Sequence, residues 1–329
     1  MKHILITGGS GFIGSHLCDL LLRKGYAVTA VDNFLTGRKE NITEALKHPA
    51  FRFLEWDVCQ PIPEAKIELL VEHGLHGLFH FACPASPIDF DRIPFEILEV
   101  DSIGTMHTVD LALKHDARYL IASTSEIYGD PLVHPQDESY FGNVNTLGPR
   151  ACYDEAKRFG EAYVSTAIRG VGRAKDGKPR KALNGGIVRI FNTYGPRMRP
   201  DDGRIVPELC MQALQGKPLT IHGDGKQTRS FCFVSDLVDG IVRLFESGEK
   251  SPVNIGNPVE RTVLDFAQMV TQLTGSKSAI LHLPGREDDP KRRCPDITRA
   301  KTLLNWTPKV DLEEGLRQSI EYFQKSSEA

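Results

Sequence analysis

A glycine-rich turn close to the start of the chain restricts the possible folds more than any other feature of the sequence. The segment Gly8-Gly9-Ser10-Gly11-Phe12-Ile13-Gly14 follows an apolar run, Lys2 to Thr7, that is typical of a buried strand. It opens an amphipathic pattern from Phe12 to Lys24, and a second strand pattern runs from Ala27 to Asp32. This order predicts a βαβ unit whose helix begins at a phosphate-binding turn.

Strand and helix patterns continue to alternate after this unit. The strand patterns are Phe51 to Glu55, Gly77 to Ala82, Arg118 to Ser123 and Gly186 to Phe191, and the helical patterns are Glu96 to Lys114 and Ala151 to Arg169. The alternation predicts an α/β fold with a doubly wound parallel (Rossmann) sheet and a smaller C-terminal substrate-binding region. We expect residues 1–190 to form the NAD-binding domain, with 224–255 returning to it, and 191–223 and 256–329 to form the substrate region.

The glycine turn and the end of the second strand together predict a dinucleotide site. Gly8 permits the tight turn, Gly11 lets the backbone approach a pyrophosphate, and Gly14 lets the helix pack on the strand. The Asp32 carboxylate would accept hydrogen bonds from ribose hydroxyls and repel a 2′-phosphate, which favours NAD over NADP. The alternative is a turn that binds nothing, with Asp32 capping a helix. Asp57 is either an adenine contact or an ordinary residue at a strand end.

Tyr153 and Lys157 lie four residues apart on the predicted helix Ala151 to Arg169, so both side chains share one face. We expect the Lys157 ammonium to lower the pKa of the phenol, which is about 10 when unperturbed. Together with the glycine turn, this pair predicts an enzyme that transfers hydride through a dinucleotide. The alternative is a surface aromatic beside a solvated lysine.

Composition excludes several other classes. With 40 Lys plus Arg against 43 Asp plus Glu, the formal charge is -3, so we expect no nucleic-acid or membrane partner. The seven scattered cysteines contain no Cys-x-x-Cys pair, which favours reduced thiols in a cytoplasmic protein. The spacing of His73, His76 and His80 bridges a loop and a strand without a completing carboxylate, so no metal is expected.

The glycine spacing with Tyr-x-x-x-Lys resembles the extended short-chain dehydrogenase/reductase family over nearly the whole chain. Within it, five separated blocks resemble the UDP-glucuronate decarboxylases. The blocks are Ala122-Ser123-Thr124-Ser125-Glu126-Ile127-Tyr128-Gly129-Asp130-Pro131 with His134-Pro135-Gln136; Gly148-Pro149-Arg150-Ala151-Cys152-Tyr153-Asp154-Glu155; Arg189-Ile190-Phe191-Asn192-Thr193-Tyr194-Gly195-Pro196-Arg197-Met198; Gly223-Asp224-Gly225-Lys226-Gln227-Thr228-Arg229-Ser230-Phe231; and Asp288-Asp289-Pro290 through Arg293 to Pro295-Asp296-Ile297.

The resemblance implies the reaction and its residues. Tyr153 would take the proton of the sugar 4-hydroxyl while NAD takes the C4 hydride, and the resulting ketone would accept the electrons left by departing CO₂. The implied catalytic residues are Tyr153, Lys157, Glu126 as acid/base, Thr124, Ser125 and Arg293. The implied cofactor contacts are Gly8, Gly11, Phe12, Ile13, Gly14, Asp32, Asn33, Asp57, Val58, Ala82, Ser123, Tyr153, Lys157 and Arg197. The implied contacts of the UDP-sugar are Asn192, Arg229, Arg293 and Ser86.

Individually, several of these residues have ordinary interpretations. Thr124, Ser125 and Glu126 could simply end a strand and cap a turn. Arg229 and Arg293, taken alone, are more often surface residues than ligands. It is the five blocks together that carry the prediction.

Four departures from the decarboxylase pattern bear on the substrate. Glu99 stands where these enzymes usually have a substrate-contacting Lys, and His107 stands where they have Asn. Pro207-Glu208-Leu209 replaces Ser-Asn-Phe, and Pro63 replaces a Tyr. A sugar-nucleotide 4,6-dehydratase or 4-epimerase, and a non-catalytic NAD sensor, therefore stay open as alternatives. The resemblance also implies a homodimer in which helices Glu96 to Lys114 and Ala151 to Arg169 pair as a four-helix bundle.

Overall fold

A parallel sheet of seven strands forms the centre of the computed structural model, which describes residues 1–173, 177–285 and 292–328. The strands of the chain are β1 (His3–Thr7), β2 (Ala27–Asp32), β3 (Phe51–Glu55), β4 (Gly77–His80), β5 (Arg118–Thr124), β6 (Gly185–Ile190), β7 (Thr193–Tyr194), β8 (Leu219–His222), β9 (Thr228–Ser230), β10 (Cys232–Phe233), β11 (Val253–Ile255), β12 (Glu260–Thr262), β13 (Ile280–Leu283) and β14 (Arg292–Arg293). The central sheet has the order β11–β6–β5–β4–β1–β2–β3, and all its neighbours are parallel. This confirms the predicted doubly wound sheet.

Helices cover both faces of this sheet. They are α1 (Phe12–Arg23), α2 (Glu68–His73), α3 (Pro87–Arg92), α4 (Pro94–Glu99), α5 (Thr105–His115), α6 (Ala151–Arg169), α7 (Ile205–Leu214), α8 (Val234–Ser247), α9 (Val263–Thr274), α10 (Thr298–Leu304) and α11 (Leu312–Glu328), with 3₁₀ turns at Lys39–Ile42, Ala45–Lys47, Glu64–Lys66 and Ser125–Tyr128. None of the helices in the described ranges has the length and apolar character that a bilayer-spanning helix needs.

Alternate residues of the strands build two separate cores, because successive side chains of a strand point to opposite faces. In β1, Ile4 and Ile6 pack with α1 and α8, whereas Leu5 belongs to the core beneath α5 and α6. In β5, Leu120 belongs to the first core, and Tyr119 and Ile121 belong to the second. Both faces of the sheet are therefore buried, which explains why its strands are nearly uninterrupted apolar runs.

The predicted helix Glu96 to Lys114 is the main correction to the expected elements. The structure divides it into α4, a π-helical turn at Val100–Gly104, and α5. The helix also starts earlier than predicted, because Pro94 occupies the first helical position, which suits its missing N–H and restricted φ. A one-residue widening of a helix leaves the apolar period almost unchanged, so the sequence pattern alone does not reveal it.

Three small sheets extend the fold beyond the edge of the central sheet at which its parallel strands end. They are β7 with β10, β8 with β13, and the three strands β12–β9–β14. The last sheet matters for function, because it sets Arg293 of β14 directly beside Arg229 of β9 in parallel register. The motif residues Asp288 to Pro290 lie outside the described residues.

Candidate active site

Two adjoining cavities lie at the carboxyl edge of the central sheet, where the strand order reverses between β1 and β4. The larger has a volume of about 330 Å³ and is lined by the glycine turn, Tyr153, Lys157 and the β9–β14 arginines. The smaller has a volume of about 110 Å³ and is lined by the ends of β2 and the loop after β3. Gly8 and Gly11 line both cavities, so one elongated ligand can occupy them together.

The glycine turn has the shape that a dinucleotide phosphate group requires. Gly8 adopts a φ of +72°, and a Cβ there would lie 2.6 Å from the carbonyl oxygen of Phe81. A Cβ on Gly14 would lie 2.0 Å from the carbonyl oxygen of Gly8, so only glycine lets α1 start this close to β1. Phe12 and Ile13 open α1 and line the larger cavity, and the helix N-terminus favours negative charge there.

The Asp32 carboxylate serves the local structure and the smaller cavity at once. Its oxygens accept hydrogen bonds from the backbone N–H of Ser10 at 3.0 Å and of Phe34 at 2.9 Å. These bonds tie the glycine turn to the loop after β2. Neither of these N–H groups belongs to a helix, so Asp32 is not the helix cap of the alternative interpretation, and it also lines the smaller cavity.

The other residues expected at the adenosine end also line the smaller cavity: Asn33, Asp57, Val58 and Ala82. The Asn33 and Asp57 side chains each accept a hydrogen bond from the backbone N–H two residues later, which shapes their loops.

Two of the four sequence departures lie at this end and not beside Tyr153. Glu99 lines the smaller cavity, and the His107 ring donates from Nδ1 to the Val58 carbonyl at 3.2 Å. In this structure position 99 therefore lies outside the lining of the cavity that contains Tyr153. Pro63 lies before a 3₁₀ turn and lines neither cavity, whereas Glu208 lines the larger one beside Thr220.

Tyr153 and Lys157 project from α6 into the larger cavity, where they are only 7% and 5% exposed, respectively. The Lys157 Nζ lies 5.7 Å from the centre of the Tyr153 ring, and Phe90 stacks on that ring at 5.1 Å. The surface interpretation of this pair is thus excluded. Burial raises the pKa of the Tyr153 phenol well above its usual value, and Lys157 lowers it by a smaller amount. Net lowering of the phenol pKa by Lys157, as expected from the sequence, is not found in this unliganded geometry.

The turn after β5 supplies the hydroxyl groups next to Tyr153. Thr124 accepts a hydrogen bond from the Glu126 N–H at 3.2 Å, and its hydroxyl acts to lower the pKa of the Tyr153 phenol. Thr124 therefore caps the turn and also lines the cavity with Tyr153. Ser125 is buried and lines the larger cavity. Ser123 lines it as well, but its hydroxyl donates to Glu161 at 2.5 Å and so serves the helix packing.

A buried carboxylate between two guanidinium groups lies opposite Tyr153. Glu126 pairs with Arg293 at 2.7 Å and with Arg150 at 2.6 Å, and all three line the larger cavity. Burial acts to raise the pKa of the Glu126 carboxyl, but Arg293 and Arg150 lower it, and the net direction is downward. Glu126 is therefore ionised near neutral pH in this geometry.

The remaining expected substrate contacts surround the same cavity. Arg293 donates to the Asn192 Oδ1 at 3.2 Å, and Arg229 donates to the Thr228 carbonyl at 2.9 Å. Both arginines are 7% exposed, which excludes the interpretation of surface residues. Ser86 lines the cavity, with its hydroxyl donating to the Asp202 carbonyl.

Arg197 lines the larger cavity near α1, from a loop position with a φ of +71°. Its Nη2 donates to Asp19 at 2.6 Å. It therefore lies on the side of the cavity where the phosphates of a dinucleotide would lie.

Sequence reasoning missed two charged residues of this site. Arg150 stands inside a quoted motif, at the start of α6, but its pairing with Glu126 depends on the turn after β5. Asp101, which binds Lys157, belongs to no quoted motif, and only the π-helical turn places it there. In the part of the chain that the structure describes, no group of His, Cys, Asp and Glu is arranged to hold a metal ion.

Comparisons with known proteins agree with this geometry. The model of the NAD dependent epimerase/dehydratase family matches residues 4–256. UDP-glucuronic acid decarboxylase 1 of Danio rerio is 48% identical over 327 residues, covering 99% of this chain and 74% of the relative. UDP-glucuronic acid decarboxylase 2 of Arabidopsis thaliana is 46% identical over 322 residues, covering 98% of this chain and 68% of the relative.

Solved structures with similar folds act on related nucleotide sugars. UDP-glucuronic acid 4-epimerase from Bacillus cereus, in complex with UDP-glucuronic acid and NAD, is 27% identical, with a TM-score of 0.85 over 99% of this chain and 100% of that one. UDP-glucose 4-epimerase from Thermotoga maritima, with UDP-glucose, is 30% identical, with a TM-score of 0.86 over the same shares. By its matching residues, its sheet and its glycine turn, the chain belongs to the NAD dependent epimerase/dehydratase family, within the extended short-chain dehydrogenases/reductases.

Proposed function

We propose that this protein is an NAD-dependent decarboxylase that converts UDP-glucuronate to UDP-xylose and CO₂ and ends each cycle with its NAD regenerated. The observation that carries the proposal is the pair of guanidinium groups, Arg293 and Arg150, in the same cavity as Tyr153 and Lys157. A hydroxyl-bearing hexose has no group that needs two cations, whereas a uronate carboxylate does. The two decarboxylases at 46–48% identity support the same reaction.

The reaction needs an electron acceptor next to the carbon that loses CO₂. Oxidation of the sugar C4 to a ketone places a carbonyl β to the carboxylate, and the electron pair of the breaking bond can then pass into that carbonyl. NAD, the cofactor of the family, supplies the hydride acceptor for C4 and the hydride donor that closes the cycle.

Tyr153 removes the proton of the C4 hydroxyl, and the Thr124 hydroxyl helps by lowering the pKa of the same phenol. Lys157 stabilises the phenolate that forms, at the side of the cavity that the nicotinamide ribose would occupy. Ser125 faces the reacting oxygen from the turn after β5.

Glu126 is held by the two cations when no substrate is present, and a uronate carboxylate competes for the same guanidinium groups. Once Arg293 and Arg150 turn to the substrate, Glu126 loses its counter-ions and its pKa rises. It can then take a proton and deliver it to the sugar ring after CO₂ has left. Asn192 and Arg229, which lie next to Arg293, hold the diphosphate.

The direct test is to incubate the purified protein with UDP-glucuronate and measure product masses. Loss of CO₂ is the expected result. Loss of water from UDP-glucose, which carries the 6-hydroxyl that a 4,6-dehydratase expels, would favour that class. An unchanged mass with inverted C4 would favour a 4-epimerase, the activity named for two of the similar structures. UDP-glucose is the control, since it lacks the carboxylate.

We also propose a homodimer through α4, the π-helical turn and α6. Support comes from the exposed apolar side chains of this face, Phe95, Leu98, Ile103 and Phe159. Light scattering should give twice the mass of the chain, and Phe159→Glu should lower the measured mass toward that of a single chain.

Two further parts of the proposal concern compartment and domains. A cytoplasmic location is supported by the free thiols of the seven cysteines, which suit a reducing compartment.

A cofactor domain of 1–190 with 224–255 is supported by the parallel pairing of β11 with β6. Residues 191–223 and 256–329 form the substrate region in this division.

A further inference from the structure

The motif His134-Pro135-Gln136 belongs to the blocks that resemble the decarboxylases, although no step of the proposed reaction involves it. Gln136 is completely buried, at 0% exposed, in the loop between β5 and α6. It forms an isolated parallel bridge with Pro295, two residues after Arg293. The loop that follows the Glu126 turn therefore meets the segment that follows Arg293.

Both the backbone and the side chain of Gln136 hold this segment. The Gln136 N–H donates to the Cys294 carbonyl at 2.9 Å, and the Gln136 carbonyl accepts from the Asp296 N–H at 2.8 Å. The side-chain Oε1 accepts from the Cys294 N–H at 2.9 Å, while Nε2 donates to the Val133 carbonyl at 2.8 Å. Any residue except proline could make the first two bonds, but the last two need an acceptor and a donor on one side chain, as in an amide.

Gln136 is also connected to the turn that carries Glu126. The Tyr128 hydroxyl, at the end of that turn, donates to Asn254 Oδ1 at 2.8 Å. Asn254 Nδ2 in turn donates to the Gln136 carbonyl at 2.9 Å. Asn254 is 0% exposed, so water does not compete for these bonds. A continuous set of buried hydrogen bonds therefore joins the Glu126 turn to the segment that Gln136 holds.

The strand of Arg293 needs a support that does not depend on Glu126. In the free protein the Arg293 Nη1 lies 2.7 Å from Glu126 Oε1, and β9 pairs with the strand as far as Arg293 itself. When the guanidinium turns to a uronate carboxylate, the contact with Glu126 is lost. The bonds between Gln136 and Cys294 involve neither the guanidinium nor Glu126, so substrate binding leaves them in place.

We propose that Gln136 is a positioning residue of the decarboxylation step, which fixes the backbone beside Arg293 and so keeps the guanidinium aimed at the substrate carboxylate after it has left Glu126. This inference rests on the proposed function. Gln136 lines neither cavity, so it acts on the reaction through Arg293 and not by touching the ligands. A misplaced guanidinium stabilises developing charge less well, because such stabilisation depends on donors that are already in position. Oxidation of C4 depends on Tyr153 and is not affected.

Gln136→Met tests the inference, because it keeps the length of the side chain and removes both amide contacts. At saturating UDP-glucuronate, CO₂ release should fall about fivefold or more, while the rate of NADH appearance in a single turnover changes less than about twofold. The affinity for UDP, which has no carboxylate, should also stay within about twofold by calorimetric titration. Gln318→Met is the matched control, since the same substitution at an exposed position of α11 should leave all three quantities unchanged.

A double variant with Arg293→Ala separates positioning from a general structural role. If Gln136 acts through Arg293, adding Gln136→Met to Arg293→Ala should lower CO₂ release by less than about twofold further. Tyr128→Phe serves if Gln136→Met does not fold, because it removes the hydroxyl that connects the two segments. Its loss of CO₂ release should likewise disappear in the Arg293→Ala background.

A folded Gln136→Met protein that loses less than about fivefold in CO₂ release would overturn the inference, and so would an equal loss with and without Arg293. Failure of the proposed function is a different result, namely no CO₂ release by the original protein.

A binding experiment tests Gln136 without turnover. In the Tyr153→Phe background, Gln136→Met should lower the affinity for UDP-glucuronate at least about threefold more than the affinity for UDP, because Arg293 contacts the carboxylate that UDP lacks. An unchanged ratio of the two affinities would also overturn the inference.

Discussion

Tyr153 combines two properties that oppose each other, burial and the need to lose a proton. The cavity around it excludes water and raises the pKa of the phenol, while Lys157 and Thr124 act in the other direction. Substrate and cofactor change this balance, since the positive nicotinamide ring and the bound hydroxyl would lie on the open side of the phenol. The unliganded site therefore holds the phenol protonated near neutral pH.

Replacement of Tyr153 by Phe should remove the base and leave the rest of the cavity in place. We expect CO₂ release to fall about 10³-fold while NAD stays bound, because the ring and its stacking on Phe90 remain. Absorbance of NADH in a single turnover, and the NAD content of the purified protein, measure the two effects. Tyr163→Phe on the same helix is the matched control. Turnover that persists in Tyr153→Phe would remove this residue as the base.

Arg293 and Arg229 are neighbours in register but face different groups, so their variants should differ. Arg293→Ala removes one of the two guanidinium groups that pair with Glu126 and should lower CO₂ release about 10²-fold or more, with less than about a tenfold loss of UDP affinity. Arg229→Ala should lower UDP affinity more than it lowers CO₂ release, since we assign Arg229 to the diphosphate. Rates of CO₂ release and calorimetric titration with UDP measure both. Equal losses in the two variants would contradict separate roles.

The sequence predicts residues of this site when they belong to a local pattern. Tyr153 and Lys157 follow from helical spacing, and Asp32 follows from the end of β2. Asp101 could not be predicted in this way, because its partner is distant along the chain and a π-helical turn decides which way it points. For the same reason, the net upward direction of the Tyr153 pKa depends on burial of the phenol, whose ring stacks on Phe90, and spacing does not reveal this burial.

Glycine has two different roles in the turn between β1 and α1, although both glycines belong to one sequence motif. Gly14 is needed for packing inside the protein, because a Cβ would lie 2.0 Å from the Gly8 carbonyl oxygen. At Gly11 the nearest atom to an added Cβ is that same oxygen, at 3.2 Å, so an alanine nearly fits the protein itself. The space beside Gly11 belongs to both cavities, where the cofactor phosphates would lie.

We therefore expect opposite results from two alanine variants of this turn. Gly14→Ala should destabilise the fold by about 2–3 kcal/mol, since backbone must move. Gly11→Ala should melt within a few degrees of the original protein but bind NAD more than about tenfold more weakly, because the methyl group takes the place of the phosphates. Thermal melting of the NAD-free proteins and titration with NAD measure the two properties. Similar losses of both properties in both variants would remove the distinction.

Elements with a clear apolar period were predicted closely, and the exceptions have a physical cause. β2, β3 and α6 match their predicted ranges residue for residue. α4 and α5 were predicted as one helix, because the π-helical turn between them keeps the backbone helical and changes only the hydrogen-bonding pattern, which a sequence period does not reveal. The short strands β9 and β14 have no alternating pattern of their own, and they are defined by pairing with each other and with β12.

At the scale of the whole molecule, the site depends on segments that are far apart along the chain. Glu126 follows β5, Arg150 begins α6, and Arg293 ends β14, so their mutual contacts require the complete sheet and the C-terminal strands. The doubly wound, parallel character of the central sheet was predictable from the alternating pattern. The placement of β14 beside β9 was not, since no local signal joins residues that are more than 60 positions apart.

The charged residues that meet at this site also make the stability of the whole protein depend on pH. Asp154 is 6% exposed on α6, and burial, followed by repulsion from Glu126, raises the pKa of its carboxyl from 3.8 to about 7. Because the folded protein holds this proton more tightly than the unfolded chain, the stabilising contribution is complete below about pH 4 and is lost as the pH rises through about 7. Near pH 8 the folded protein carries a buried carboxylate whose nearest cation, Arg150 Nε, lies 3.9 Å away.

Asp154→Asn should remove this loss, since the amide stays neutral at every pH. We expect the free energy of unfolding of the variant, relative to the original protein, to increase by more than about 1 kcal/mol between about pH 5 and about pH 8. Urea unfolding of the NAD-free proteins at the two pH values gives this difference directly. Glu314→Gln, which removes an exposed carboxylate on α11, controls for the change in net charge and should give no such increase. A difference that stays constant with pH would mean that Asp154 is already ionised in the fold at the lower pH, and that Arg150 compensates its charge fully.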